Sequence, residues 1–424
     1  MAIYSFGSNL ISQLGQGEEF DSTHKPVEVD FFVNKRVKMI EVGSLHTMVV
    51  TQELVTAEID KTEIDAAIKN QSPKEEVVKA RKVDEESEKT VKERIFSFGC
   101  NDEYALGREG DEATPMETIL PKKTKKKNSK YNDHKIKQIS ATSDATFILT
   151  EEGEVFGMGS FKYSNGTAGF DNIVKKQKTP KRIMKGIKKI AAGFNHILML
   201  DLNNNVHFYG INENGEAGVP PKRRMKKIKP FLCKVTSKRT KKFKKVTDIF
   251  AGAYSNFIKT EDGIYCFGKN YLNELGVSEE MRGSSEIFKK LDSIEDIGFH
   301  ANKIIKIKGG DGHTIFMDNS NQLFSVGNNS FGQLGTGNKA DNCQKISKIN
   351  FDLDTIVDFD VNSFFAVFKT SKNKLYGFGC NTDGELGVEE QCSIREPVEI
   401  DLSRVKEDIK NVRVGNDFVI VETL

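Results

Sequence analysis

No tryptophan occurs among the 424 residues, and no apolar run approaches the ~18 residues of a membrane span. A helical membrane protein is therefore excluded. The six cysteines (Cys100, Cys233, Cys266, Cys343, Cys380 and Cys392) never fall into C-x-x-C spacing. That argues against a zinc site and against a disulfide framework, and fits a reducing compartment. A large excess charge is missing too. Lys and Arg total 63 against 61 Asp and Glu, so the net charge is +2 and the chain is no overall polyanion binder. Any nucleic-acid surface must come from local segregation of charge. The start, Met1-Ala-Ile-Tyr-Ser-Phe-Gly, lacks a basic stretch leading into a long apolar one, so no secretory signal is expected. What the chain does have is 35 glycines, which suits many tight turns between short strands.

A repeat organises these glycines. One phrase, apolar-x-apolar-Gly-x-Asn followed by Leu-Gly, is clear at Phe6-Gly7-Ser-Asn9, Phe98-Gly99-Cys-Asn101, Phe267-Gly268-Lys-Asn270, Val326-Gly327-Asn-Asn329 and Phe378-Gly379-Cys-Asn381. Degenerate copies stand at Met158-Gly159-Ser and Tyr209-Gly210-Ile-Asn212, which makes seven. From Gly99 to Gly379 the average spacing is 56 residues. A second phrase, Ile-x-x-Gly-x-x-His, alternates with the first. It is plain at Gly43…His46, Gly193…His196 and Gly310…His313, and eroded at Ala251–Phe257 and Val412–Phe418. Each phrase reads as strand, turn and strand, so a unit offers about four short strands that cannot bury both faces alone. Stacked radially, such sheets cover one another and leave only short edges. The sequence thus predicts an all-β seven-bladed propeller of four-stranded antiparallel blades. The chain begins inside the first phrase and ends inside the second, so the N- and C-terminal strands should share a blade and close the ring. A leucine-rich horseshoe is excluded by its shorter period.

Three stretches depart from the period. Residues 53–94 form a charged insertion, inside which Ile64–Lys69 and Glu75–Arg81 have helical composition. Residues 121–130 form a basic loop around Pro121–Lys127, and residues 220–247 form a second one with thirteen Lys or Arg and no acid before Asp248. Runs so one-sided favour a polyanion partner, an acidic protein patch or a nuclear-import role.

Signatures of covalent chemistry are weak. Gly263–Asn270 nearly matches the phosphate-binding G-x-x-x-x-G-K-[ST], but Asn270 replaces the hydroxyl and bulky β-formers fill the would-be loop, so a strand is expected. His46, His196 and His313 recur at one repeat position and read as structural. No Cys/His cluster has ligand spacing and no Gly-x-Ser-x-Gly elbow occurs, so no metal, cofactor or nucleophile is expected. The connection Phe161–Ala168 is different from its counterparts. Asn165-Gly166 is a two-residue hairpin signal, and a small β-hairpin should project there.

These phrases resemble the regulator of chromosome condensation family, the seven-bladed exchange factors of the Ran GTPase. The resemblance is carried by Phe96-Ser-Phe-Gly99-Cys-Asn-Asp-Glu-Tyr-Ala-Leu-Gly107-Arg, Gly159-Ser-Phe-Lys-Tyr-Ser-Asn-Gly166 and Phe250-Ala-Gly-Ala-Tyr254, and it covers nearly all of the chain outside 53–94. It implies a Ran-type small GTPase as partner and a β-wedge made of Phe161, Lys162, Tyr163, Ser164, Asn165, Gly166, Thr167 and Ala168. It further implies GTPase-facing loops carrying Asp144, Asn195, Asp311, His313 and Asp417. A chromatin-facing loop would carry Arg223, Arg224, Lys226 and Lys227, meeting a nucleosome or a DNA backbone. A nuclear, chromatin-associated monomer follows, with the cytoplasm as the other compartment and no membrane contact. The second reading is a propeller scaffold without exchange activity, and a propeller hydrolase or lyase is a third.

Overall fold

The computed structural model describes residues 1–17, 21–56, 89–122, 134–164, 166–170, 175–219, 231–235, 245–277, 283–388 and 392–424. Among them the strands form seven four-stranded antiparallel sheets and one separate two-stranded sheet. Blade 1 is Arg36–Val42, His46–Thr56, Lys89–Gly99 and Met116–Thr118. Blade 2 is Ile136–Ala141, Ala145–Thr150, Val155–Gly159 and Gln177–Met184; blade 3 is Ile187–Ala192, His196–Asp201, Val206–Gly210 and Phe231–Lys234. Blade 4 runs Val246–Ala251, Ser255–Thr260, Gly263–Asn270 and Gly283–Lys290, and blade 5 runs Ile304–Gly309, His313–Asp318, Leu323–Asn328 and Asn342–Lys348. Blade 6 is Ile356–Val361, Phe365–Thr370, Leu375–Cys380 and Ser393–Glu399.

Blade 7 is built from both termini. Ile409–Val414 and Phe418–Thr423 supply its inner strands, and Ile3–Ser8 and Ser22–Glu28 its outer ones. Ile3 pairs with Glu422 and Gly7 with Phe418, and Ala2 donates its amide to Thr423 Oγ1 at 2.6 Å. The expected closure is therefore realised by backbone hydrogen bonds. The first strands touch one another in a complete ring around the axis, and the second strands, such as Ala145–Thr150 and Phe418–Thr423, are buried along their whole length between neighbouring blades. Outer strands manage their free edges with charge and proline. Pro26, Pro180 and Pro397 sit in register bulges of three outer strands, where no ladder hydrogen bond is lost.

Glycine holds the two phrases together. In every blade the first-phrase glycine has positive φ, and a Cβ there would meet the carbonyl of the second-phrase turn, as at Gly99, 2.5 Å from Leu45 O. The residue after it donates to that same carbonyl: Cys100 to Leu45, Ser160 to Asp144, Lys269 to Tyr254, Cys380 to Phe364. Both phrases thus meet at one end of the propeller, so every connection between third and fourth strands and every turn between first and second strands shares that end.

Two expectations need revision. Residues 53–56 and 89–94 are strand, continuing blade 1 in unbroken register from His46↔Gly99 to Thr56↔Lys89. Cross-strand pairing dominates there, and Ile64–Lys69 and Glu75–Arg81 lie outside the described residues. Nor is 220–247 one loop. Phe231–Lys234 pairs with Val206–Gly210 as a fourth strand and Val246–Ala251 opens blade 4, while residues 220–230 and 236–244 lie outside the described residues. Residues 123–130 of the first basic loop also lie outside the described residues. Gly263–Asn270 is a strand, as its β-formers dictate.

Candidate functional site

The two-stranded sheet is a hairpin on the blade 2 connection: Phe161–Tyr163 pairs with Gly166–Ala168. Its root is apolar. Phe161 is fully buried, with ring centroids 5.2 Å from Phe170, 5.5 Å from Tyr209 and 6.0 Å from Phe147. Phe161 is thus an anchor seated between blades 2 and 3, not a partner-facing wedge residue. The register also differs from the Asn-Gly expectation. Tyr163 pairs with Gly166, so Gly166 opens the return strand, at φ 144°, an extended mirror-image conformation that glycine allows.

Three side chains clamp the hairpin from below. The Lys162 amide donates to Asn195 Oδ1 at 3.1 Å, and its ammonium reaches Asp144 at 2.8 Å. Burial works against that ammonium, but Asp144, with Glu103 behind it, more than offsets this and lifts the Lys162 pKa above the ordinary lysine value. On the blade 3 side, both Glu213 oxygens accept from the Ser164 amide at 3.3 and 3.2 Å, and one also accepts from the Ser164 hydroxyl. Asp144 and Asn195, both expected from the sequence, therefore converge on the hairpin. Glu213 and Glu103 were not anticipated. Glu103 accepts from Ser160 at 2.7 Å and pairs with Lys176 at 3.3 Å. The repeat itself carries a signal for Glu213: the position after the first-phrase Asn reads Leu10, Asp102, Glu213, Tyr271, Ser330 and Thr382, varying beside residues that hardly change.

The other expected loop residues scatter. Asp311 is half-exposed and pairs with Lys269, whose ammonium lies 5.1 Å above the Tyr254 ring. Asp417 accepts from Gln13 at 3.1 Å, and burial raises its pKa. His313 is fully buried and faces no partner. The reason lies in the repeat. Each second-phrase histidine reaches the next blade: His46 donates to Thr146 and His196 to Asn256, both at 2.8 Å. Blade 6 offers Ala366 at that position, so both His313 nitrogens make no hydrogen bond among the described residues. Blade 7 has Phe418 instead of histidine, and Thr47 Oγ1 in blade 1 has no hydrogen bond among the described residues. Burial pushes all three histidines down to about 4. Arg223, Arg224, Lys226, Lys227 and Asn165 lie outside the described residues, and only the backbone of Tyr163 is described.

The axis holds a cavity of about 680 Å³ lined by the first strands. Its lining carries Lys137, Lys189, Lys306, Lys308 and Arg413 against Glu41 and Asp360, with Lys308 at 2.9 Å from Asp360 and Arg413 at 3.6 Å from Glu41. Among the described residues no three His, Cys, Asp or Glu side chains are grouped to hold a metal.

Comparison with known proteins matches this arrangement. An RCC1-like domain model covers residues 89–421, and a regulator of chromosome condensation (RCC1) repeat covers residues 2–50. The chain is 25% identical over 414 residues to the mouse regulator of chromosome condensation, covering 94% of this chain and 84% of that protein. It is 26% identical over 281 residues to the Saccharomyces cerevisiae guanine nucleotide exchange factor SRM1, covering 60% of this chain and 55% of that protein. The crystal structure of Prp20p from S. cerevisiae, a protein with binding properties to Gsp1p and histones, superposes with a TM-score of 0.76 at 20% identity, covering 100% of this chain and 91% of that one. With seven self-covering blades, terminal closure and a matched domain model across most of its length, the chain belongs to the RCC1-like family of the regulator of chromosome condensation.

Proposed function

We propose that the chain is a guanine nucleotide exchange factor for a Ran-type small GTPase. The observation that carries this is a hairpin fixed over an acidic sector at the phrase-bearing end of the propeller, rooted by Phe161 and clamped by Asp144, Asn195 and Glu213. Family membership and the exchange-factor relative in S. cerevisiae support it. The mechanism needs no bond to be attacked. A GTPase that holds nucleotide at picomolar affinity has ~16 kcal/mol of binding to be offset. A factor that binds the nucleotide-free form far better than the loaded one weakens nucleotide by the same factor, and incoming GTP must in turn eject the factor. The hairpin is the displacing element: Phe161 roots it, Lys162 and Ser164 tie it to the acids of blades 2 and 3, and Gly166 and Thr167 form its return strand. In this reading the wedge is the hairpin beyond Phe161, with Phe161 as its foundation.

Chromatin association is part of the proposal. Arg223, Arg224, Lys226 and Lys227 supply the charge density for a nucleosome's acidic patch or a DNA backbone. The test is stopped-flow release of labelled GDP from the Ran of the same organism. Catalytic amounts of the chain should accelerate release, and replacing 162–167 by a short Gly-Ser link should abolish it without lowering the melting temperature. Release at the intrinsic rate, beside a working positive control, ends the reading. The alternative is a propeller scaffold without exchange activity. A scaffold partner would bind irrespective of nucleotide.

A further inference from the structure

A hairpin that displaces part of a bound partner works only if the partner is held somewhere else, as a wedge needs a fulcrum. The six paired residues of the hairpin cannot supply the roughly 800 Å² per partner of a stable interface. The remaining area must come from the same end of the propeller, and that end is divided. Around the hairpin, blades 1 to 3 place Asp102, Glu103 and Glu213, with Asp144 buried beside Lys162. Across the axis the chemistry changes.

Every exposed Phe or Tyr among the described residues lies there, on three consecutive blades: Tyr271 (51%) on blade 4, Phe331 (38%) on blade 5 and Phe364 (41%) on blade 6. Phe331 and Phe364 meet edge to face at 5.6 Å across the blade boundary, so the patch bridges sheets. Leu10 (70%) and Ile11 extend exposed apolar surface onto blade 7. All but Phe364 occupy the two positions after the first-phrase Asn, and Phe364 sits in a second-phrase turn, where its carbonyl holds Cys380. Blades 1 and 3 carry Asp102, Glu103 and Glu213 at those same two positions. The fold leaves these sites open and the repeat fills them by sector.

Neighbouring turns at this end are tied to one another. Turn-to-turn hydrogen bonds run around the axis, from Ser143 to Phe194, Phe194 to Ala253, Ala253 to Gly309 and Asn416 to Ser44. From this we infer that Tyr271, Phe331 and Phe364, flanked by Leu10 and Ile11, seat an apolar patch of the same GTPase partner and hold it against the hairpin. Exposed aromatics on a preformed scaffold are what interface hot spots are made of. The inference rests on the exchange-factor reading and assigns a separate job to a separate sector: affinity to the aromatics, displacement to the hairpin.

The test is a full-length triple variant, Tyr271→Ala with Phe331→Ala and Phe364→Ala, compared with the wild-type chain in the GDP-release assay and in capture of nucleotide-free Ran. The expected result is a KM for the GTPase raised about tenfold or more with kcat unchanged. The hairpin replacement should do the reverse, losing kcat while still capturing GTPase. If the triple variant melts early, Tyr271→Ala, the most open of the three, is read alone and should raise KM about threefold. A wild-type chain that is active beside an equally active triple variant overturns this inference and spares the exchange-factor reading. A wild-type chain that neither binds nor accelerates overturns both. Concentration-dependent self-association that disappears in the triple variant would assign the patch to a second copy and also overturn it.

Discussion

Among the described residues His313 is a buried imidazole without a hydrogen bond, unlike His46 and His196. Blades 6 and 7 put Phe365 and Phe418 at the same position. His313→Phe is therefore expected to stabilise the fold by about 1–2 kcal/mol, because it removes an unsatisfied polar group. The effect should grow in acid. Burial depresses the histidine pKa values from 6.5 to about 4, so between those values the unfolded chain binds more protons. This contribution to stability is complete above pH 6.5 and is lost as pH falls towards 4. Urea melts at pH 7.5 and 5 check it, and a His313→Phe chain that is no more stable than wild type at pH 5 would refute it. Glu216 acts with the opposite sign. Burial raises it from 4.5 to about 7, so its protonated form is favoured in the fold and its carboxylate costs stability as pH rises through 7. Gln13 and Gln333 hold the same repeat position and accept the same backbone amide two residues back. Glu216→Gln should stabilise at pH 8 by about 1–2 kcal/mol and hardly at all at pH 5, read in the same melts.

At the scale of the element, the hairpin is held from two blades by polar contacts and from beneath by one ring. Those contributions should separate. Glu213→Ala is expected to speed hydrogen exchange of the Ser164 amide about tenfold with no change in melting temperature, because the contact is exposed. Phe161→Ala should cost about 3–5 kcal/mol of global stability, because it empties a buried aromatic site. Equal effects of both would mean that the hairpin and the core are not distinct. The blade 1 ribbon gives a second separation. Its strands keep register out to Thr56↔Lys89, so replacing residues 57–88 by Asn-Gly should leave the melting temperature within about 3 °C of wild type. The hairpin's existence was legible because the Phe161–Ala168 connection breaks the repeat. Its register was not, since Asn-Gly chemistry gives a turn preference while Phe161 burial fixes which residues can face each other.

The whole molecule depends on its seam. Residues 1–8 place Tyr4 and Phe6 in the core and cover the edge of Phe418–Thr423. Deleting them should lower the melting temperature by more than 10 °C and promote association through the opened edge, read by scanning fluorimetry and size-exclusion chromatography. Blade number, strand order and terminal closure were determined by the sequence alone, because a repeated pattern of period two punctuated by glycine allows few ways to bury seven half-covered sheets. The inventory of acids and basic runs was equally plain. Tertiary structure alone decided which of them meet. Asp144, Asn195 and Glu213 come from three different turns and are brought under one hairpin by the ring, while His313 is turned inward by the blade beside it. The aromatics of blades 4 to 6 become one sector only when the sheets are arranged around an axis. Local pattern sets each unit, but the distance between units is a property of the closed ring, and no single repeat contains it.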